Sequence, residues 1–333
     1  IIDTNDDYAF GGFMGLLVPS ALVLPRYLYW ITQSDLYRDH LRQLSDGMNI
    51  NNLKWKELAQ LVVPLPPLAE QKRIVAILDE ALEAIERAEE CLATAIDDSA
   101  ALASVRVDEV FADPPEHWVP CTVGDVMQFK HGFAFKSEWF ADHGDKVLLT
   151  PGNYFESGGY RDRGPKQKYY TGDVPAGFTL SGGDLVLAMT EQAPGLLGAP
   201  LLVPQDGIYL HNQRLGLAQP QNPERWHAPF FFHFFNTNTF RAGVYRDASG
   251  VKVRHTSPKK MAVLPVAFPE SIAEQRDWAE RLFDVRESCE QLGRMLRKKA
   301  ARLVSLRQSL LTAAFSGELG ETVSAIEREA AIA

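Results

Sequence analysis

Six cations crowd residues 241–260, namely Arg241, Arg246, Lys252, Arg254, Lys259 and Lys260, against one acid, Asp247. That density could neutralise phosphates, and it could equally be an ordinary solvated basic face. A second group, Arg161, Arg163, Lys166 and Lys168, surrounds the stretch from Gly158 to Pro165, which reads as a flexible loop. Both groups are candidates for positioning a phosphate backbone. Reading base edges needs paired donors and acceptors, which Gln213 and Arg214 could present unless they only satisfy backbone groups at a strand end. Catalysis has less to work with. Asp113-Pro114-Pro115-Glu116 begins like the Asp-Pro-Pro-Tyr motif of adenine methyltransferases, but Glu116 stands where a ring must stack on a flipped base. No glycine-rich cofactor loop precedes it, so it reads as a linker that stops a helix. There is no Gly-x-x-x-x-Gly-Lys-Ser/Thr loop for ATP, and the eight histidines include no His-Glu-x-x-His. Glu70-Gln71 and Glu274-Gln275 could be taken for a catalytic pair, but helix-start electrostatics and packing explain both. Cys91, Cys121 and Cys289 lie far apart without a Cys-x-x-Cys pair, which argues against a disulfide framework or zinc site and for buried small apolar residues. No catalytic residue, cofactor or metal site is expected in this chain.

The elements that must hold these residues exceed one average domain, since 333 residues stand against about 100–200 per domain. With 46% hydrophobic and 23% charged residues the composition is globular. The start, Ile1 to Asp7, has neither the basic end nor the apolar run of a signal peptide, and no charge-free apolar stretch reaches about 18 residues. A cytoplasmic location with no membrane contact is expected. The net charge of −9 is unevenly spread: residues 68–113 carry 4 basic and 12 acidic groups, whereas 118–266 carry 15 and 12.

The strongest feature is a long-range repeat. Gly47-Met48-Asn49-Ile50, running on to Leu61-Val62-Val63-Pro64-Leu65-Pro66, aligns with Gly250-Val251-Lys252-Val253, running on to Leu264-Pro265-Val266-Ala267-Phe268-Pro269, at an offset of 203. At offset 204, Leu68-Ala69-Glu70-Gln71 matches Ile272-Ala273-Glu274-Gln275, and Phe111 matches Phe315. In the first copy the place of the basic cluster is taken by Asn49, Asn51, Asn52, Lys54 and Lys56, an amide-rich set that could give a different readout from one scaffold. Each copy ends in a long helix. Prolines stop the preceding strand, and Glu70 or Glu274 sits in the first turn. Apolar steps of four and three follow: Ile74, Leu78, Ala81, Ile85, Ala88, Leu92, Ala95, and Trp278, Leu282, Val285, Cys289, Leu292, Leu296. The first seam is poor at Ser99 and Arg106, and the second slips at Lys299 before resuming at Leu303. The shared register favours an antiparallel coiled coil, about 44 residues and about 66 Å long; the alternative is that each helix packs only on its own globular partner.

Between the helices, residues 118–266 carry aromatics and short β-rich runs such as Lys146–Leu149 and Asp184–Met189, bounded by Gly and Pro turns. This reads as a compact mixed α/β domain, with Ala228–Phe235 a buried helix. By the same offset the first-copy counterpart of Trp118 falls about 85 residues before Ile1, so the chain reads as a fragment lacking the front half of a first domain.

The pattern resembles the specificity (S) subunits of type I restriction-modification systems along essentially the whole chain. The most specific segments are Pro64-Leu65-Pro66-Pro67-Leu68-Ala69-Glu70-Gln71-Lys72-Arg73-Ile74 and Arg307-Gln308-Ser309-Leu310-Leu311-Thr312-Ala313-Ala314-Phe315-Ser316-Gly317-Glu318-Leu319. The intervening domain agrees through Gly132-Phe133-Ala134-Phe135-Lys136, Gly183-Asp184-Leu185-Val186-Leu187 and Asn212-Gln213-Arg214, while Glu270-Ser271 departs from the family's proline pair. The resemblance implies mixed α+β target recognition domains joined by two long helices that form an antiparallel coiled coil, with a two-fold internal repeat. Its segments would be 1–66, the back of a first recognition domain; 67–113, a central conserved helix; 114–269, a second recognition domain; 270–317, a distal conserved helix; and 318–333, a tail.

It further implies a non-catalytic subunit that reads a split site on double-stranded DNA and docks methyltransferase (M) and restriction (R) subunits. Those partners would bring S-adenosylmethionine, ATP and magnesium. The competing readings are a coiled-coil protein-interaction scaffold without sequence-specific DNA binding and an enzyme with an unrecognised site.

Overall fold

The structure, a computed structural model, describes residues 1, 9, 11–12, 14–44, 55–192, 194–250 and 253–319. Short helices α1 (Pro25–Gln33), α2 (Asp35–Leu44) and α3 (Trp55–Leu58) come first, and then the long helix α4 (Leu68–Ala112). The central domain runs β1 (Val119–Thr122), α5 (Val123–Val126), β2 (Met127–His131), β3 (Phe140–Ala141), β4 (Val147–Leu148), β5 (Tyr169–Tyr170) and β6 (Leu185–Ala188). It continues through β7 (Thr190–Glu191), β8 (Pro200–Leu202), β9 (Tyr209–Leu210), β10 (Leu215–Pro220), α6 (Ala228–Phe235) and α7 (Asn238–Arg246). It closes with β11 (Arg254–His255), α8 (Pro258–Ala262) and β12 (Pro265–Phe268), and α9 (Ile272–Ser316) is the second long helix. Two four-stranded sheets, ordered β2-β10-β6-β8 and β3-β5-β4-β9, and two strand pairs, β1-β12 and β11-β7, make up the β-structure.

The chain divides into two compact units, Ile1–Asp97 with Gly293–Ala333, and Asp98–Leu292. Each long helix is therefore shared between units. In the first unit the start of α4 and the end of α9 enclose one core, in which Ile74, Leu78, Leu82 and Ile85 meet Leu310, Leu311 and Ala314 together with Tyr27 and Ile31 of α1. Arg307 reaches across to Glu89 at 2.8 Å. The helices thus pack on each other in antiparallel sense there, and packing on a globular partner alone is excluded for this unit. In the second unit the end of α4 and the start of α9 bracket α6 through a chain of rings. Phe111 lies 5.3 Å from Phe230 and 5.8 Å from Trp118, and Trp118 lies 5.8 Å from Trp278. Phe315 plays the part of Phe111 in the first unit, 5.5 Å from Tyr27.

Both units are fastened by the same buried amide. Gln71 Oε1 accepts the Leu24 N–H at 2.9 Å, and its Nε2 donates to Leu22 O at 2.9 Å and Pro66 O at 2.8 Å. Gln275 Oε1 accepts the His227 N–H at 2.9 Å, and its Nε2 donates to Arg225 O at 3.0 Å and Pro269 O at 2.7 Å. Each glutamine is wholly buried. Both therefore hold the segment before the preceding short helix against the first turn of the long one. The neighbouring glutamates differ: Glu70 pairs with Arg73 of its own helix at 2.7 Å, whereas Glu274 accepts the Trp118 indole N–H at 3.1 Å. A second shared detail lies 203 residues apart, where Ser34 Oγ donates to Ile31 O and Thr237 Oγ1 to Phe234 O, at 2.7 and 2.8 Å.

The seams differ in detail from the sequence reading. Ser99 is buried and Val107, not Arg106, continues the first stripe; Leu292 is 44% exposed and Gly293 is buried in its place. Among the cysteines only Cys289 is buried, for Cys91 is exposed and Cys121 half-buried. The distal helix stops at Gly317, whose φ of +93° lets the Glu318 N–H return to Ala313 O at 3.1 Å. Among the described residues no helix is long and apolar enough to cross a membrane.

Candidate nucleic-acid interface

One group of candidate residues is assembled around the end of β6. The Met189 N–H donates to Arg214 O at 2.9 Å, and Met189 O accepts the Thr256 N–H at 3.0 Å. The turn bearing Gln213 and Arg214 and the strand bearing Arg254 and His255 therefore flank one strand end, and all four side chains are exposed. The turn itself is set by Asn212, whose Oδ1 accepts the Arg214 N–H at 3.1 Å. Strand β11 is held by its pairing with β7, Arg254 opposite Glu191 and His255 opposite Thr190. The Arg254 guanidinium lies 5.7 Å from the centre of the Tyr245 ring, within cation–π range. Ser257 caps α8 by accepting the Lys260 N–H at 3.4 Å, which leaves Lys259 exposed. Lys260 Nζ is committed to Asp247 O at 2.6 Å, and the exposed Arg246 stands 3.5 Å from the Asp247 carboxylate.

Beneath this surface lies a polar network that sequence reasoning missed. Glu191, 3% exposed, accepts the N–H groups of Leu196 and Leu197 at 3.0 and 2.9 Å and the Tyr245 hydroxyl at 2.5 Å. Tyr245 Oη in turn accepts the Gly195 N–H at 2.7 Å. Burial raises the Tyr245 pKa, which keeps the phenol protonated and able to donate. Arg241, counted among the six cations of the basic cluster, turns inward instead. It donates to Leu197 O at 2.9 Å, to Glu156 O at 3.3 Å and to Gly195 O. The loop from Gly195 to Leu197 is thus clamped by three side chains, and the surface charge is smaller than the sequence count. Tyr245 follows Arg241 by four residues, the spacing that puts two side chains on one helix face. That spacing was the available signal.

The second group sits on the loop before β5, which is anchored rather than flexible. Buried Asn153 donates through Nδ2 to Gln167 Oε1 at 2.8 Å, and its carbonyl accepts the Arg161 N–H at 2.7 Å. Arg161, Lys166 and Lys168 are exposed, whereas Arg163 is half-buried with its guanidinium over Gly152. Lys168 Nζ is 5.7 Å from the Phe140 ring centre. In the first unit Lys56 is exposed on α3. Asn49, Asn51, Asn52, Lys54 and Lys252 lie outside the described residues. Among the described residues no group of three His, Cys, Asp or Glu side chains could hold a metal ion. The arrangement offers exposed cations and amides on strand-end turns stiffened from below, a surface suited to contacting phosphates and base edges.

Comparison with known proteins agrees with this architecture. Residues 1–91 match the family model of the type I restriction modification DNA specificity domain. The EcoKI specificity subunit of Escherichia coli strain K12 is 41% identical over 78 residues, 23% of this chain and 17% of that subunit. The EcoBI specificity subunit of Escherichia coli is 26% identical over 206 residues, 61% of this chain and 40% of that one. Over these stretches the chain is similar to type I restriction enzyme specificity subunits. The matched stretches span well under half of the EcoKI and EcoBI subunits. A solved chain from a study of complex assembly and conformational transition of the type I R-M system shares the fold at a TM-score of 0.72 and 20% identity, covering 89% of this chain and 72% of that one. The HsdS subunit of Thermoanaerobacter tengcongensis gives a TM-score of 0.58 at 20% identity, with coverage of 90% and 71%. The fold that this chain shares with them is, in this chain, mixed helix and sheet with two long helices.

Proposed function

We propose that this chain acts as a DNA-specificity subunit, or part of one, in a type I restriction-modification complex. It has no catalysis of its own: recognition domains read the halves of a split site, and the long helices fix the spacing and dock M and R subunits. Those partners supply S-adenosylmethionine-, ATP- and magnesium-dependent chemistry in the cytoplasm. The observation that carries the reading is the duplicated build of the two units. Each joins a short-helix segment to the start of its own long helix through a buried glutamine, and to the end of the other through a ring position repeated in both copies. Such twin construction suits two readers whose separation is a fixed length of helix, as half-site spacing requires.

Phosphate contact falls to the exposed Arg254, Lys259, Arg246, Arg161, Lys166 and Lys168, and base contact to Gln213 and Arg214. The test is DNA binding by the reconstituted complex over a salt series, where log affinity should fall linearly with log salt. Arg254→Ala combined with Lys259→Ala should weaken binding to all sequences alike and flatten the salt slope. Wild-type affinity in the double variant removes these residues from the interface. Salt-insensitive or absent binding favours a protein scaffold. Mapping of methylated adenines in cells carrying the complete system should then show a split motif that depends on this gene.

A further inference from the structure

The turn bearing Gln213 and Arg214 does not stand alone, because a second segment, Gly132 to Lys136, runs beside it as a parallel partner. The Phe133 N–H donates to His211 O at 2.8 Å and the Gln213 N–H to Phe133 O at 2.9 Å, which bridges Phe133 to Asn212. The Phe135 N–H also returns to Phe133 O at 3.1 Å, which makes Ala134 the apex of a three-residue turn. The two segments meet at the backbone, for a Cβ on Gly132 would fall 2.0 Å from Asn212 O. The far end of the Gln213 turn is closed by the Leu215 N–H, which donates to Asn212 O at 3.0 Å, and by His211 Nε2, which donates to Leu215 O at 3.1 Å.

Successive side chains on such paired segments point to opposite faces. Asn212 is buried, and the Phe133 ring turns inward against Phe135 and Phe178, with ring centres 5.2 and 5.3 Å away. The next residue on each segment, Ala134 and Gln213, therefore faces outward, on neighbouring chains about 4.8 Å apart, and both are exposed. The Gln213 amide makes no hydrogen bond with another described residue. A bare methyl thus stands abreast of a free carboxamide on a stiff double turn.

That pairing has a definite complement. In the major groove an adenine offers its N7 acceptor beside its N6 donor, which a carboxamide meets with one donor and one acceptor. Guanine presents two acceptors there and calls for a cation instead. The thymine opposite adenine carries a 5-methyl group that cytosine lacks, and an apolar side chain is what meets it. We propose that Ala134 and Gln213 together read one A·T base pair from the major groove, Gln213 on the adenine edge and Ala134 on the thymine methyl. Ala134 has no polar side-chain atom, so a search for donors and acceptors passes over it. The proposal rests on the DNA-reading function above, and it adds the letter that is read and a second segment that reads it.

The test uses the reconstituted complex on its mapped site, with single groups of the DNA removed. Each thymine is replaced in turn by deoxyuridine, which deletes the methyl, and each adenine by 7-deazaadenine, which deletes the N7 acceptor. One A·T pair should respond to both. Deoxyuridine should weaken binding about four-fold, the worth of one buried methyl, and 7-deazaadenine about five- to ten-fold, the worth of one hydrogen bond. In Ala134→Gly the deoxyuridine penalty at that pair should vanish while the 7-deazaadenine penalty stays, and in Gln213→Ala the reverse. A loosened loop lowers affinity for every duplex alike and does not produce this crossed pattern. The proposal is overturned if no A·T pair responds to both replacements, or if both penalties persist in the two variants. A complex that prefers its site without the crossed pattern defeats this pair of residues alone, whereas a complex with no sequence preference defeats the functional reading and the base pair with it.

Discussion

Replacing Gln275 with leucine tests whether the repeated glutamine is a structural pin or merely helix-start decoration. Leucine fills a similar volume, so the change removes polar atoms rather than opening a cavity. Three backbone groups lose their partner: the His227 N–H, Arg225 O and Pro269 O. The bond to Pro269 O is buried, and its loss costs about 2 kcal/mol. The other two are partly buried, where water can compensate, and cost about 1 kcal/mol each. Burying leucine in place of an amide returns about 1 kcal/mol, which leaves a net loss of about 3 kcal/mol. Amide hydrogen exchange resolves this locally. The His227 amide should exchange about 100-fold faster, since each 1.4 kcal/mol is about ten-fold. The Leu24 amide, held by Gln71 in the other unit, should keep its rate. Gln71→Leu should do the reverse. Acceleration of less than about five-fold at His227, or equal acceleration at both amides, would refute the pin.

Three further outcomes follow from the same geometry. Acid should weaken the second unit, because burial lowers the pKa of His211 to about 4 and that of His233 to about 3, well below the unfolded value. The folded state then binds fewer protons below about pH 6.5, so the stability of the neutral rings is complete above that pH and falls as pH drops toward 4. The loss is about 2 kcal/mol per ring at pH 5, and an unchanged denaturant midpoint between pH 7 and pH 5 would contradict it. Tyr245→Phe removes the hydroxyl between Glu191 and Gly195 and should cost about 1–3 kcal/mol; proteolytic nicking after Leu196 or Leu197 measures the loosened loop, and wild-type resistance counts against the clamp. Phe111→Ala and Phe315→Ala should each cost about 2–3 kcal/mol, less than a fully buried ring because both are half-buried, each felt by exchange in its own unit. A loss confined to one of the two would mean that the repeat is not used alike.

Much of the frame was legible because periodicity and punctuation are local signals. The apolar steps marked both long helices, the prolines marked their starts, and the phenylalanine run gave α6, Ala228–Phe235. What escaped has physical causes. Leu292 fitted a heptad on paper, but the stripe of an α-helix drifts against a strict seven-residue repeat, and the buried position passes to Gly293. Arg241 looked like surface charge because a count cannot tell a solvated guanidinium from one spent on backbone carbonyls. The loop from Gly158 to Pro165 read as flexible because the anchor, the bond from Asn153 to Gln167, joins residues fourteen apart at the ends of two short 3-10 turns that no sequence period marks. Gln71 and Gln275 were visible as a repeated pair, but the three backbone partners of each are brought in by the tertiary fold.

The repeat is informative where its two copies disagree. Trp30 of the first unit donates its indole N–H to Asp79 at 2.7 Å, a polar pair across α1 and α4. At the matching places the second unit has His233 and Phe283, packed edge-on with ring centres 4.3 Å apart. Both members changed together, as they must. An indole N–H facing a phenyl ring forfeits its acceptor, and a carboxylate beside a buried neutral imidazole would raise the imidazole's pKa. The cation above the neighbouring ring changed source as well, from Arg26 on α1 to Arg286 on α9. Gln71 and Gln275 did not change. Their partners are backbone groups, present whatever the side chains, so only an amide carrying one acceptor and two donors in the same geometry satisfies them. At these places the glutamine that serves the main chain is the same in both copies, whereas the pair whose side chains serve each other differs on both sides.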